Sequence, residues 1–386
     1  MTGTVQSKRR IPDPTRLRQL LTVGVILAMV MIGFVFCLFR SPDAVSEAER
    51  RPLAQRPALS GDALLSGAFM EDFGKYATDQ FPGRESLRQI KAVSRFYLLC
   101  MGENNGIYLK EGSAIKKNPS YDESILRNNV ALWSRISDMF PGARRYCSLI
   151  PDKQFYAAGG RYPHMDDQAL EETVLQGMPE GTEYLSLYRS DLLRLGDYYR
   201  TDLHWRQEAI WLVAKMLADR VGTEIDGEDA YEWETLGNFY GVYCGQSALP
   251  LTPDLLRIGQ SQTLAGARVF CYRMADGRWE RTEVGVYDRE KSRGADGYSV
   301  FLAGSEALVE IRNPACHNGK VLAVFRDSFS SSLMPYLISG YERILLVDTR
   351  YMASDLLRRM PELRLGEVTD LLFLYSTTAL SGVVMR

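Results

Sequence analysis

The spacing of hydrophobic and polar positions changes several times along this chain, and each change marks an element. Residues 20–39 carry no charge and are nearly all apolar. A run of about 20 such residues can cross the hydrocarbon core of a bilayer as a helix. From 62 to 99 the apolar residues recur at helical spacing, with a turn at Phe81-Pro82-Gly83. Residues 106–112 read as a short strand and turn. Residues 120–140 then place Ile125, Leu132, Trp133, Ile136 and Met139 on or near one helical face.

An alternation of strands and helices follows. Residues 144–150 read as a strand closed by Pro151, 183–187 as a second strand, and 190–195 as a helical turn. Residues 205–221 predict an amphipathic helix, with Ile210, Val213, Met216 and Leu217 facing inward and Gly222 ending it. Roughly 230–316 reads differently, as an irregular β-rich insertion with many Tyr, Gly, Val and Thr. The alternation then returns. Strands are expected at 320–325, 343–348 and 370–375, and helices at 330–338 and 353–360. Such an order implies parallel strands joined by right-handed crossovers, with sites gathered at the strands' carboxyl ends. No short-period repeat interrupts it.

Charge decides how the apolar run is used. Lys8, Arg9, Arg10, Arg16 and Arg18 precede it, and fewer basic residues follow closely. That balance favours a cytoplasmic N-terminus. A cleaved signal peptide is the rival reading, but no small-x-small site ends the run, and it is long for a signal core. Phe36 before Cys37 argues against lipid attachment there. The expected organisation is a cytoplasmic tail at 1–19, a transmembrane helix at 20–39, an exposed linker at 40–60 and an extracytoplasmic domain at 61–386. A net charge of −2 over 386 residues gives no reason to expect nucleic acid as a partner. The 6 cysteines are scattered, without a C-x-x-C pair. They read as small buried hydrophobes, and no metal site is expected.

Three places could carry chemistry. The chain has only 3 histidines, and one stands in Tyr198-Tyr199-Arg200-Thr201-Asp202-Leu203-His204-Trp205. A carboxylate two residues away can accept from one imidazole nitrogen, fix the tautomer and leave the other nitrogen as a base. The alternative is that Asp202 caps the following helix and His204 merely packs. Second, Ser328 in Phe325-Arg326-Asp327-Ser328-Phe329-Ser330 falls on a strand-to-helix turn. The backbone N–H groups of 328–330 could there hold an oxyanion. Third, Arg350 and Tyr351 follow the next strand, so they share that edge. Arg350 is either a surface arginine or a group for an anionic or polyhydroxyl ligand. His164 and His317 lack a motif and read as surface residues. Among Trp233, Phe239, Tyr240 and Tyr243, a local core is favoured over a glycan groove.

These residues bring a resemblance. The chain resembles the DHHW family of bacterial proteins, which is similar to the periplasmic alginate O-acetyltransferases with SGNH-hydrolase-like domains. The resemblance covers most of 60–386 and rests on five pieces. They are Asn105-Gly106-Ile107-Tyr108-Leu109, Tyr199-Arg200-Thr201-Asp202-Leu203-His204-Trp205, Gly237-Asn238-Phe239-Tyr240-Gly241, Arg326-Asp327-Ser328-Phe329 and Val347-Asp348-Thr349-Arg350-Tyr351. The family name implies Asp-His-His-Trp, and Leu203 replaces the first His here. The alginate-type motif, Asp-x-His-Trp, is satisfied.

The resemblance implies an SGNH-like α/β fold, a parallel sheet with flanking helices. It implies Ser328 as nucleophile, His204 as base and Asp202 as orienting acid. Arg350, Tyr351 and Trp205 are the candidate substrate contacts. No cofactor is implied. The implied activity is O-acyl transfer, most simply acetyl, onto a cell-surface or secreted polysaccharide. Acyl-CoA is cytoplasmic, so the acyl group would come through a membrane-bound O-acyltransferase partner. The same triad with water as acceptor would make a carbohydrate esterase. An idle glycan-binding or scaffolding subunit is the reading from outside enzymology.

Overall fold

The computed structural model describes residues 14–157, 162–275 and 277–386. It divides into two compact units, Met1–Lys91 and Ala92–Arg386.

In the first unit, helix α1 spans Pro14–Phe39. Its segment Thr15–Phe36, 22 residues, is long and apolar enough to cross a membrane, and a signal sequence would pass the same test. Short helices follow at Gly61–Leu65 and Ala68–Asp79, and Arg84–Val93 crosses the boundary. The expected turn between the last two is present, with Gly83 at φ +69°. The segment 40–60 is more than a linker. Val45–Ser46 pairs antiparallel with Arg51–Pro52. The Gln80 amide donates to the carbonyls of Asp43 and Ala54, and Asp79 accepts from Arg51 and from the Ala54 N–H. Polar side chains at one helix end thus fasten a stretch whose composition reads as exposed.

The second unit is built on one eight-stranded sheet. Its strands are β1 (Arg144–Ile150), β2 (Thr182–Tyr184), β3 (Arg268–Ala275), β4 (Arg278–Val284), β5 (Leu308–Arg312), β6 (Val321–Arg326), β7 (Arg343–Val347) and β8 (Asp370–Ser376). Their order is β4-β3-β5-β7-β6-β8-β1-β2. The stretch β7-β6-β8-β1-β2 is parallel, and β5, β3 and β4 extend it antiparallel. The 230–316 stretch therefore does two things. Glu232–Phe239 and Asp254–Gln260 form a separate hairpin, and the rest widens the main sheet.

Period-two alternation explains the layers. Leu322 and Val324 of β6 join a core that holds Val213 and Leu217 on one helix and Leu333 and Leu337 on another. Ala323 and Phe325 face the opposite core with Leu126, Trp133 and Val174. The helices are α2 (Glu123–Ser137), α3 (Asp167–Gly177), α4 (Trp211–Arg220) and α5 (Ser330–Leu337). They cover both faces, as parallel strands require. Asp122 and Asp166 start α2 and α3 by accepting the N–H of Ile125 and Ala169.

Several elements differ from the sequence reading. The strand expected at 183–187 is the shorter Thr182–Tyr184, and the helical turn expected at 190–195 lies at Leu195–Asp197. Helix α4 begins at Trp211, not 205. Tyr198 and Trp205 pair antiparallel, and the Arg206 N–H bonds the Asp197 carbonyl. The backbone of 198–206 is thereby committed to a tight loop, although its apolar spacing continues that of the helix. The expected helix at 353–360 is the 3₁₀ turn Ser354–Arg359.

Candidate active site

Register places the site. Arg326 at the end of β6 lies beside Leu374 of β8, and Ser376 at the end of β8 lies beside Ile150 of β1. The residues just after these strands share the sheet's carboxyl edge, where α/β folds collect their chemistry.

Ser328 stands two residues beyond the end of β6, partly exposed, on a turn that Asp327 builds. One carboxylate oxygen of Asp327 accepts the Phe329 N–H at 3.0 Å. The other accepts the Ser376 N–H at 2.7 Å and its hydroxyl at 2.6 Å. The fully buried Arg326 adds a bond from its guanidinium to the Asp327 carbonyl and one to the Ser331 hydroxyl. The position of Ser328 is therefore fixed by its neighbours.

His204 and Asp202 come from the tight loop. Asp202 is fully buried and His204 nearly so. Asp202 Oδ1 lies 2.6 Å from His204 Nδ1 and 3.1 Å from the His204 backbone N. Its Oδ2 accepts the Val242 N–H at 2.8 Å. A carboxylate accepts, so Nδ1 carries the proton and Nε2 is left as acceptor. Nε2 lies 2.8 Å from Ser328 Oγ. Residues 124 positions apart thus meet in hydrogen-bond geometry. Asp202 does not cap α4. It works inside its own loop.

The surroundings hold the imidazole flat. Tyr298 stacks on it with centroids 3.8 Å apart and planes 9° apart. The Tyr298 hydroxyl meets Ser332 Oγ at 2.8 Å. Asp254 accepts the N–H groups of Arg200 and Thr201 and the Thr201 hydroxyl. Gly241 crosses the loop at contact distance. A Cβ there would lie 2.4 Å from the Asp202 Cβ and 2.4 Å from the Thr201 carbonyl oxygen. The backbone of Gly241 is ordinary, with φ −69°, so the requirement is steric. Gly241→Ala is expected to lower stability by ~1–3 kcal/mol, the range for overpacking, and to displace Asp202. Denaturant midpoints check it; an unchanged midpoint would mean that the loop yields freely.

The remaining predicted contacts fare unevenly. Trp205 is fully buried, and its Nε1 donates to the Phe329 carbonyl and to Ser332 Oγ, each at 3.0 Å. It ties the 198–206 loop to the start of α5 and has no face to offer a substrate, which corrects that expectation. Arg350 shares the edge, but its guanidinium grips buried Asp348 through two bonds, at 2.9 and 2.6 Å. Burial pulls its pKa down, and Asp348 more than offsets this, so Arg350 stays charged and engaged. Tyr351 is exposed beside it. The oxyanion expectation also narrows. The Phe329 and Ser330 N–H groups bond to Asp327, which leaves the Ser328 N–H as the one of the three without a partner among the described residues. His164 and His317 are exposed, as expected. Cys147 and Cys271 are buried as expected, Cys244 and Cys316 are half-buried, and Cys100 is exposed, which corrects the reading of that residue as a small buried hydrophobe. Sequence reasoning missed Asp254 and Tyr298. Tyr298 lies on an irregular segment, where no periodicity could single it out.

Comparison with known proteins agrees with this architecture. Residues 184–347 match the DHHW protein family, and the matched segment contains Asp202, His204 and Ser328. A DHHW family protein from Eubacterium siraeum DSM 15702 superposes with a TM-score of 0.57 at 19% identity, over 72% of this chain and 93% of that one. Bacillus cereus PatB1, in a structure with a sulfonyl adduct, gives 0.57 at 16% identity, over 72% and 97%. The O-acetyltransferase domain of Pseudomonas putida AlgJ gives 0.40 at 13% identity, over 72% and 92%. No curated protein matches. The DHHW resemblance holds over 184–347, and the first two structures share this chain's fold.

Proposed function

We propose that this chain is a membrane-anchored, extracytoplasmic O-acyltransferase that moves an acyl group, most simply acetyl, onto a cell-surface or secreted polysaccharide. The observation that carries the reading is the Asp202–His204–Ser328 relay, with contacts of 2.6 and 2.8 Å, at the sheet's carboxyl edge. Ser328 Oγ attacks the donor carbonyl while its proton passes to His204 Nε2. The oxyanion forms beside the Ser328 N–H. Collapse expels the donor's leaving group, which takes the proton from His204. A sugar hydroxyl then attacks the acyl-serine and gives its proton to Nε2. The second collapse frees the acylated sugar and returns the proton to Ser328. Asp202 stabilises the imidazolium in both halves. General base assistance of this kind contributes ~10²–10⁴-fold.

Helix α1 is the proposed anchor, with the N-terminus cytoplasmic. An outside domain needs its acyl group relayed, and a membrane-bound O-acyltransferase is the proposed supplier. PatB1 supports the chemistry in one respect. Sulfonyl groups attach to activated nucleophiles, and that protein, of the same fold, carries such an adduct.

One experiment addresses activity and placement together. A membrane-impermeant activated acetyl ester is added to intact, wall-free cells, and Ser328 is examined by mass spectrometry. An acetylated Ser328 is expected, discharged faster by added glycan than by water. Labelling only after lysis would place the domain inside. Discharge to water alone would make the chain an esterase, and no labelling under any condition would leave a scaffold.

A further inference from the structure

Lys153 is fully buried beside this site, and the relay above does not use it. It follows the carboxyl end of β1, as the first residue of the short helix Lys153–Tyr156. It is 1% exposed. Its Nζ donates to four backbone carbonyls, those of Tyr199 at 2.7 Å, Ala114 at 2.8 Å, Asp202 at 3.0 Å and Arg200 at 3.3 Å. Three of the four belong to the loop that carries Asp202. The other polarity of the same loop is collected by Asp254, which accepts the N–H groups of Arg200 and Thr201, both at 2.8 Å. A cation thus gathers the loop's carbonyls and an anion its amides.

We propose that Lys153 is a positioning residue whose ammonium holds the 199–202 loop so that Asp202 presents His204 to Ser328. The inference rests on the relay proposed above. Its chemistry is simple. Buried carbonyls need donors, and an ammonium has three N–H bonds to share among four of them. A neutral amine has two, and its lone pair would face a carbonyl. The grip therefore depends on the charge.

The charge is within reach of titration. Burial pushes the Lys153 pKa down to about 8, against the pull of Asp202, Asp254 and Asp152. The ring of Tyr243 also faces Nζ, at 5.5 Å, and Lys116 acts on Asp152 in turn. Unfolded, the lysine titrates at about 10.4. Between these values the unfolded chain binds more protons than the folded one, so this group's contribution to stability rises with pH. A loss of acylation in that window would then come from the loop and not from unfolding.

The test uses the full chain in detergent, from about pH 7 to about pH 10. Acylation of Ser328 by a chromogenic acetyl ester is measured against the Ser328→Ala background. The low-field proton resonance of the Asp202–His204 bond is followed in parallel. Acylation is expected to fall at least about ten-fold across the window, the resonance to broaden or vanish with it, and the thermal midpoint not to drop more than in Lys153→Met. In Lys153→Met, acylation kcat should fall at least about ten-fold at neutral pH, KM should stay within about two-fold, and the alkaline fall should disappear. Flat acylation in the wild-type chain to about pH 10, or an unaltered resonance in Lys153→Met, overturns the inference. Should that variant fail to fold, the wild-type series decides by itself. Should the wild-type chain never acylate, the proposed function fails, and the resonance alone decides on Lys153.

Discussion

Ser328→Ala is expected to abolish the acyl-enzyme, and polysaccharide acetylation with it, in a protein that folds as before. The two halves of this expectation have separate causes. Catalytically, Oγ is the atom that forms the covalent bond, and loss of a triad nucleophile lowers kcat by on the order of 10⁶ in well-studied hydrolases. Structurally, Oγ contributes one side-chain contact, with His204 Nε2 at 2.8 Å. Asp327 and Ser376 hold the turn without it. Removing one partly exposed hydrogen bond alters stability by about 1 kcal/mol. Acylation by mass spectrometry, surface acetyl content and the thermal midpoint together check it. Acetylation that persists in the variant would leave the scaffolding reading as the better account.

Much of the fold was legible, and for a physical reason. Strands buried on both faces are short runs of apolar residues, and each run at 144–150, 320–325, 343–348 and 370–375 has a strand within one residue of its expected ends. Burial, which the sequence encodes directly, is what defines them. The helix expected from 205 starts at Trp211, because the helical spacing of Ile210, Val213, Met216 and Leu217 carries no signal of the loop that ends just before them. The shape of that loop is set by backbone bonds, such as Tyr199 N–H to the His204 carbonyl at 3.0 Å, which leave no trace in side-chain pattern.

The candidate site divides along the same line. His204 stands out because the chain has 3 histidines, Asp202 because it lies two residues before it, and Ser328 because it falls on a strand-to-helix turn. Their meeting across 124 positions depends on where β6 and the loop lie in the sheet, which no local pattern carries. Trp205 is a candidate substrate contact in the sequence. Its Nε1 instead bonds the start of α5. Arg350 was rightly placed at the edge, yet the carboxylate two residues before it, Asp348, already engages its guanidinium. Nothing in the sequence pattern singles out Lys153. Only the carbonyls that converge on Nζ give it a role.

Asp202→Asn is expected to cost acylation several orders of magnitude, although it changes one atom. The carboxylate accepts on both sides, from His204 through Oδ1 and from the Val242 N–H through Oδ2. An amide has one acceptor oxygen and an NH₂ that can only donate. If its oxygen faces His204, the NH₂ confronts the Val242 N–H in a buried site, which costs ~1–3 kcal/mol for the unsatisfied donor. If it flips, the NH₂ donates to Nδ1, and the imidazole proton moves to Nε2. Nε2 then points a hydrogen at Ser328 and cannot take one from it. Acylation kcat should fall by ~10³–10⁴, the loss that a wrong tautomer causes in other triads, with KM for a small ester little changed. Single-turnover acylation measures this directly. A fall of less than about ten-fold would mean that Asp202 only shapes the loop, and that His204 finds its tautomer without it.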